Sequence, residues 1–460
     1  MAINEHIFRE YDIRGIVARD LTGEVPRLIG RALGSELRAR LGSAGDERLT
    51  VVVGQDNRPS SPALAADAIA GLRETGVDVV FIETVPTPVL YFAFAHYEAD
   101  GALQITGSHN PPEYNGFKMV ARDGSIYGDA IQRMRARIES GDFATGQGSL
   151  TERDVKAAYI DETAGKFRLE RPVRVVVDCG NGAGSLVAVE LLERIGAEVI
   201  PLYCESDGTF PNHHPDPVVD ENLADLIDLV RSEKAELGIA FDGDADRIGA
   251  VDELGQIVRG DILLLLFGLD VLEEHGPGTE LIFDVKCTQA LPEVFAAAGG
   301  KPVMWKTGHS LIKERMKQTG APVAGELSGH ICFADANYFD DALYAACRLT
   351  AMLGRSAESL SRRTAAFPQY VSTPELRVEV PEEKKFDIVA RAIEEFSRDH
   401  EVVDVDGARV LFDGGWGLLR ASNTQPVLVL RYEARDSARL AHIRETFEAW
   451  LRGQGVQPDA

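Results

Sequence analysis

The chain has 460 residues, 45% hydrophobic and 26% charged, the balance of a soluble globular protein with apolar material for about three or four domain cores. Its formal net charge of −25 argues against nucleic acid as a partner, because phosphate backbones attract basic surfaces. Five cysteines without CxxC spacing, a charged N-terminal stretch and no apolar run longer than residues 262–269 lead us to expect a reduced, cytoplasmic protein with no secretion signal and no membrane span.

In chain order, a short β-branched run that meets a polar turn occurs three times, at residues 51–56, 175–180 and 281–286. Each predicts a buried strand. A helical stretch follows each one, over 61–75, 186–195 and 289–298, and stops at Gly76, Gly196 and Gly299, where glycine closes the helix. Second strands come next at 78–82, 198–202 and 302–305. Each copy then sets a polar cluster beside a small-residue or apolar segment, at 106–112, 242–247 and 325–330. Such alternation predicts α/β units whose ligand groups lie in loops beyond the strand ends. The C-terminal part differs. Strands over 371–380 and 408–411 and helices over 390–399 and 436–451 predict a separate α+β domain, joined by a hinge at 367–369.

The first cluster is Thr106-Gly-Ser-His-Asn-Pro-Pro112, continuing to Lys118. Gly107 permits close backbone approach and Pro111 and Pro112 stiffen the turn. Ser108 is therefore expected on a rigid, exposed loop, with His109 and Lys118 near enough to supply positive charge and proton transfer. A turn with a capping serine has the same composition. The second cluster, Asp242-Gly-Asp-Ala-Asp246, alternates carboxylates with small residues, a hard-oxygen site for Mg²⁺ or Ca²⁺. Without a cation, the three carboxylates need raised pKa values to coexist. An EF-hand requires glycine where Arg247 stands, and the flanks 237–241 and 248–251 read as strands. An acidic surface turn is the other alternative. A phosphoserine would give the metal an oxygen and the metal would offset its charge, so Ser108 and the aspartates explain each other.

Glu326 and Ser328, within Gly325-Glu-Leu-Ser-Gly-His330, suit sugar hydroxyls, and Lys306-Thr-Gly-His-Ser310 is similar in kind. Ordinary turns with structural histidines are the alternative for both. Arg420-Ala-Ser-Asn-Thr-Gln-Pro426 gathers a guanidinium, hydroxyls and an amide suited to a phosphate cradle, with an ordinary polar loop as the alternative. Gly180-Asn-Gly-Ala-Gly184 does not fit the dinucleotide fingerprint and reads as a tight turn.

Six segments in order, residues 8–15, 106–118, 242–247, 306–310, 325–330 and 420–427, resemble those of the α-D-phosphohexomutase superfamily, notably its bacterial dual phosphomannomutase/phosphoglucomutase branch. The resemblance covers nearly the whole chain. It implies three similar α/β domains with mixed sheets plus a C-terminal α+β domain, heart-shaped around a central cleft. The domains would be 1–149 with the phosphoserine loop, 150–251 with the metal, 252–366 with the sugar loop and 367–460 with the phosphate loop. It implies Mg²⁺ on Asp242, Asp244, Asp246 and phosphorylated Ser108, with Arg247 beside the metal loop. Arg14, His109 and Lys118 would assist phosphoryl and proton transfer, and Lys118 or His330 would be the general base. Tyr11, Lys286, Thr307, Gly308, His309, Glu326, Ser328 and His330 would line the substrate site, and Arg420, Ser422, Asn423 and Thr424 would hold the non-reacting phosphate. The implied reaction is reversible transfer between the 1- and 6-positions of mannose and glucose phosphates, with glucose 1,6-bisphosphate as intermediate and activator, in a monomer. Leu327 stands where amino-sugar mutases of this superfamily usually have glutamine and the dual enzymes methionine, so the apolar side chain points to the dual enzyme.

Overall fold

A computed structural model of the chain describes residues 3–42, 48–423 and 425–458. They fall into two compact units, Met1–Gly260 with Ser328–Arg362 and Asp261–Leu327 with Arg363–Ala460.

The threefold repeat is present in the backbone. In each copy a central strand lies between two parallel neighbours. Thr50–Gln55 has Asp78–Thr84 and Gly101–Ile105; Arg174–Asp178 has Glu198–Leu202 and Leu237–Phe241; Glu280–Asp284 has Lys301–Trp305 and Val323–Gly325. The central strands are buried almost throughout, which is why they read as continuous β-branched runs. Helices Ser61–Glu74 and Ala290–Ala297 follow the first and third as expected, and Gly76, Gly196 and Gly299 close the helical stretches at φ +80°, +101° and +93°. The middle helix is divided into a 3-10 turn Ala183–Leu186 and a helix Ala188–Arg194. The backbone N–H of Ala183 is turned toward the carbonyl of Gly243, 2.8 Å away, so the chain serves the aspartate loop there before it winds into a helix.

In the first copy, helices Val25–Leu41 and Ser61–Glu74 bury Ile29, Leu33, Leu37, Leu64 and Leu72 in the core. Each such side chain contributes about 1.5–3 kcal/mol. The third strand of every copy delivers a polar cluster at its carboxyl end, to Thr106, Asp242 and Glu326 in turn. Antiparallel strands Tyr114–Ala121 and Ile248–Asp252 return from the first two.

The C-terminal sheet is antiparallel, in the order Val371–Ser372, Val427–Ala434, Gly415–Ala421, Ala408–Phe412, Val402–Val403. The expected strand over 371–380 is two short strands, Val371–Ser372 and Leu376–Glu379, with Pro374 between them, where no ladder N–H is available. The helix expected over 390–399 runs Lys385–Phe396, and the last helix runs Ser437–Gly453 from its Asp436 cap. Beneath this sheet Arg409 is fully buried over the Trp416 ring, 3.9 Å from its centroid. It donates to the carbonyls of Val285 and Cys287 at 2.6 and 2.9 Å. Burial lowers its pKa to about 10. Among the described residues no helix is long and apolar enough to cross a membrane, and the run 262–269 lies within the buried helix Gly260–His275.

Ser108 is not on an exposed surface: it is 3% exposed and sits at φ +49°, a left-handed conformation that costs a serine about 1–2 kcal/mol. Arg58, itself buried, holds the loop in that shape. Its guanidinium donates to the carbonyls of Ser108, Asn110, Pro111 and Tyr114 at 2.7, 2.5, 2.6 and 3.1 Å, and Asp56 anchors its Nε at 3.1 Å. A lysine ammonium cannot span these four acceptors. Arg58→Lys is therefore expected to speed hydrogen exchange across residues 107–114 by roughly tenfold or more while the central strand 50–55 stays protected. Unchanged exchange in that loop would show that the arginine does not hold it.

Candidate active site

The serine and aspartate loops meet within the first unit. Ser108 Oγ donates to Asp242 Oδ2 at 2.9 Å and lies 3.1 Å from His109 Nδ1. The approach depends on Gly243: a Cβ there would stand 2.3 Å from the Ser108 carbonyl oxygen. Thr87 ties the loop down from the other side, donating its hydroxyl to Asp244 Oδ2 at 2.6 Å and its N–H to the Asp244 carbonyl at 2.9 Å. The backbone N–H groups of Asp246 and Arg247 donate to Asp242 Oδ1, which closes the loop on itself. Ala245 is held at φ +59°, where glycine would be unstrained, and its methyl group is buried.

The three carboxylates are fully buried, with ligand oxygens within 4.8 Å of one another. Asp244 Oδ1 and Asp246 Oδ1 are buried without a hydrogen-bond donor. Oxygens left in that state are costly, and an all-carboxylate set fits a hard divalent cation. Lys118 Nζ lies 2.7 Å from Asp244 Oδ2 and 2.5 Å from Asp246 Oδ2. Burial and the neighbouring Asp246 and Asp244 push the Asp242 carboxyl up to about 7. Burial acts the same way on Asp244, but the adjacent Lys118 and the Thr87 hydroxyl hold it well below the usual carboxylate range. Burial opposes the charge on Lys118 as well, yet Asp244, Asp246 and Asp242 outweigh it and keep the ammonium protonated. Arg247 is held charged in the same way by Asp216 and Asp242, with contacts of 3.3 and 3.2 Å.

His109 departs from expectation. Burial, then Arg247, Arg14 and Lys118, push its pKa well below that of a free histidine, so the ring is neutral and supplies no positive charge. Arg14, on the strand Ile13–Ile16, pairs with Asp12 at 2.5 Å, and Tyr11 is half-buried just before it. His330 reaches the aspartate loop because Ile248 N–H donates to the Gly329 carbonyl at 3.1 Å. Its Nδ1 is 3.1 Å from buried Asp340 Oδ2 and 3.8 Å from Asp246 Oδ1. Asp340, Thr87, Asp216 and Arg58 escaped the sequence reading. Arg58 alone carried a signal, since Asp56-Asn57-Arg58 stands at the end of the first repeat's central strand.

The remaining described candidates, Ser328 apart, lie in the second unit, and shared acidic partners join Lys286, Thr307 and Arg420. The Gly308 N–H donates to Glu326 Oε1 at 2.6 Å, next to His309, which begins helix His309–Thr319. Thr307 donates through its N–H to Asp406 Oδ2 at 3.0 Å and through its hydroxyl to Asp284 Oδ2 at 3.1 Å. Arg420 Nε donates to that same Asp406 oxygen at 3.0 Å, so one carboxylate aligns two predicted ligand loops. Lys286 pairs with Glu375 at 3.3 Å and Asp284 at 3.8 Å. Burial disfavours its charge, but Glu375, Asp284 and Glu326 raise its pKa above the usual value. Ser422 is buried, with its N–H on the Val427 carbonyl, and Asn423 is exposed. Thr424 lies outside the described residues. Ser328, half-buried, opens the segment that belongs to the first unit.

Family models for phosphoglucomutase/phosphomannomutase match in four successive pieces: alpha/beta/alpha domain I over residues 5–145, domain II over 157–255, domain III over 259–370 and the C-terminal domain over 375–449. A phosphomannomutase/phosphoglucomutase of Pseudomonas aeruginosa is 47% identical over 452 residues, covering 97% of this chain and 95% of its own. A phosphoglucomutase of Neisseria gonorrhoeae is 44% identical, with 97% of each chain covered. The crystal structure of a phosphoglucomutase/phosphomannomutase family protein from Burkholderia thailandensis superposes with a TM-score of 0.90 at 45% identity, covering 98% of each chain. With its sheets, loops and full length accounted for in this way, the chain belongs to the phosphoglucomutase/phosphomannomutase family.

Proposed function

We propose that this protein reversibly moves a phosphoryl group between the 1- and 6-positions of mannose and glucose phosphates by way of phosphorylated Ser108. The observation that carries the reading is the Ser108 hydroxyl 2.9 Å from a carboxylate of the buried three-aspartate cluster. The names of relatives at 44–47% identity support the substrates.

In the forward half-reaction a free sugar hydroxyl bonds to phosphorus as the Ser108 Oγ–P bond breaks. The resulting 1,6-bisphosphate turns around, and Ser108 Oγ takes the other phosphoryl group as that sugar O–P bond breaks. Asp242, Asp244 and Asp246, with a phosphoryl oxygen on Ser108, are the residues to hold Mg²⁺, which when bound offsets charge on the transferring group. Lys118, Arg247 and Arg14 add fixed positive charge at the same place. His330, aligned by Asp340, is the better base for the sugar hydroxyl, because Lys118 is held protonated by its carboxylates. His109 contributes a neutral hydrogen bond. Tyr11, Lys286, Thr307, Gly308, His309, Glu326 and Ser328 bind the sugar, and Arg420, Ser422, Asn423 and Thr424 the non-reacting phosphate. The four domains run over 1–149, 150–251, 252–366 and 367–460, carrying the phosphoserine, metal, sugar and phosphate loops in turn. Glucose 1,6-bisphosphate serves as primer, and the protein acts as a cytoplasmic monomer.

A coupled assay with Mg²⁺, trace glucose 1,6-bisphosphate and either glucose 1-phosphate or mannose 1-phosphate tests the reading. Turnover of both, with one phosphate mapped to Ser108 by mass, supports it. Net release of inorganic phosphate would indicate a phosphatase, and binding without turnover a sensor. Ser108→Ala is expected to lose more than about 99% of turnover, because the phosphoryl carrier is gone. Near wild-type turnover in that variant would remove Ser108 from the mechanism.

The Asp242 carboxyl also makes metal binding pH-dependent. A cation needs the carboxylate, and the metal-free carboxyl is raised to about 7, so protons compete below that value and not above it. Mg²⁺ affinity is expected to fall toward tenfold between about pH 8 and about pH 6, with proton release near pH 7 seen by calorimetry in buffers of different ionisation heat. Affinity that is flat across this range would mean that Asp242 is ionised before the metal arrives.

A further inference from the structure

Four of the described residues at the rear of the aspartate loop form a short mechanical link. Gly182 N–H donates to the Cys179 carbonyl at 2.7 Å, and Ala183 N–H donates to the Gly243 carbonyl at 2.8 Å. Two backbone hydrogen bonds and one turn thus join Cys179 to the loop that carries Asp242 and Asp244. It follows the central strand Arg174–Asp178. Cys204 follows the parallel neighbour Glu198–Leu202. The two sulfurs are 3.2 Å apart. Cys287, Cys332 and Cys347 are buried.

We infer that Cys179 and Cys204 form a reversible disulfide when the protein meets a hydroperoxide, and that this bond slows phosphoryl transfer by pulling on the turn behind the aspartate loop. This goes beyond the proposed function: the thiol chemistry stands whatever the substrate is, and only the activity readout rests on that reading.

The asymmetry of the pair fits an attacking and a resolving thiol. Cys204 is half-buried and open to solvent, while Cys179 is buried. The contact between the two sulfurs lowers the Cys204 pKa and raises that of Cys179, which favours Cys204 as the thiolate. In the first step the Cys204 sulfur attacks a peroxide oxygen, the O–O bond breaks, and the leaving hydroxide or alkoxide takes a proton. Cys204 is left as a sulfenic acid. In the second step the Cys179 sulfur attacks the Cys204 sulfur, the S–O bond breaks, and hydroxide departs with the Cys179 proton as water. Two thiols and one peroxide give one disulfide, one water and one water or alcohol, a two-electron oxidation. Closing the sulfurs from 3.2 Å to a covalent length of about 2.05 Å draws them together by about 1 Å, and whatever part rotation of the two side chains does not absorb falls on the turn. Misplacement of that size at reacting groups costs one to two orders of magnitude in rate, roughly.

Full-length protein treated with hydrogen peroxide, then alkylated and analysed by intact mass and peptide mapping, tests the inference. The expected result is loss of the mass of two hydrogens, a single cross-link between Cys179 and Cys204, and a fall in turnover of roughly tenfold that dithiothreitol reverses. Cys204→Ser should keep its turnover on the same treatment and form no cross-link. Peptide mapping of the unaltered protein needs no variant to fold: two free thiols at 179 and 204 after peroxide, or a cross-link to any other cysteine, would overturn the disulfide. A mapped Cys179–Cys204 bond with unchanged turnover would overturn the link to the aspartate loop.

Discussion

Three carboxylates buried within 4.8 Å of one another are the constraint around which the first unit is built. Like charges that close raise one another's pKa, and burial removes the water that would screen them. The protein answers in two ways. It brings cations to them: Lys118 spans Asp244 and Asp246, and Arg247 covers Asp242 while Asp216 fixes its far end. It also leaves one carboxyl, Asp242, near neutrality at about 7 and turns that group toward the serine hydroxyl. The two buried oxygens that still lack donors mark what the side chains alone do not compensate. A cluster arranged in this manner is poorly suited to a purely structural role, since an apolar core of the same volume would be easier to bury.

The second unit solves a related problem with single acids. Asp406 accepts from both Thr307 and Arg420, and Asp284 accepts from Thr307 and from the Leu327 N–H at 3.2 Å. Each carboxylate therefore sets the position of two loops that are distant in sequence. Glu375, held down to about 2 by Lys286 against the effect of burial, keeps the lysine in place. Cationic side chains meant for an anionic ligand need such partners when the ligand is away, because a buried unpaired cation is unstable.

Much of this was legible in the sequence because it is local. Strand, helix, closing glycine and second strand recur with the same residue types, and the loop chemistry sits on contiguous residues at strand ends. What was not legible depends on contacts made by folding. Nothing near Asp340 in the sequence marks it as the partner of His330; a bridge between Cys332 and Asp340 brings it round. The neutrality of His109 follows first from burial and then from the nearby Arg247, Arg14 and Lys118, whereas adjacency in sequence suggests a positive charge. The helix after the second central strand begins at Ala188, two residues later than expected, behind a turn whose Ala183 N–H is directed to the Gly243 carbonyl.

Ser108 shows how these local and distant terms combine. Its left-handed backbone is unfavourable by itself, and strain of this kind persists only where the surroundings over-determine it. Here they do so from two sides. Arg58 gathers four carbonyls of the serine loop from one buried guanidinium, while the aspartate loop comes so close that only a glycine fits at position 243. The first contact sets the direction in which the hydroxyl points, and the second sets its distance from Asp242. In the proposed role of phosphoryl carrier, a serine on a relaxed turn would satisfy neither condition without further ordering, whereas here the conformational cost is met once, on folding, by Arg58 and Gly243.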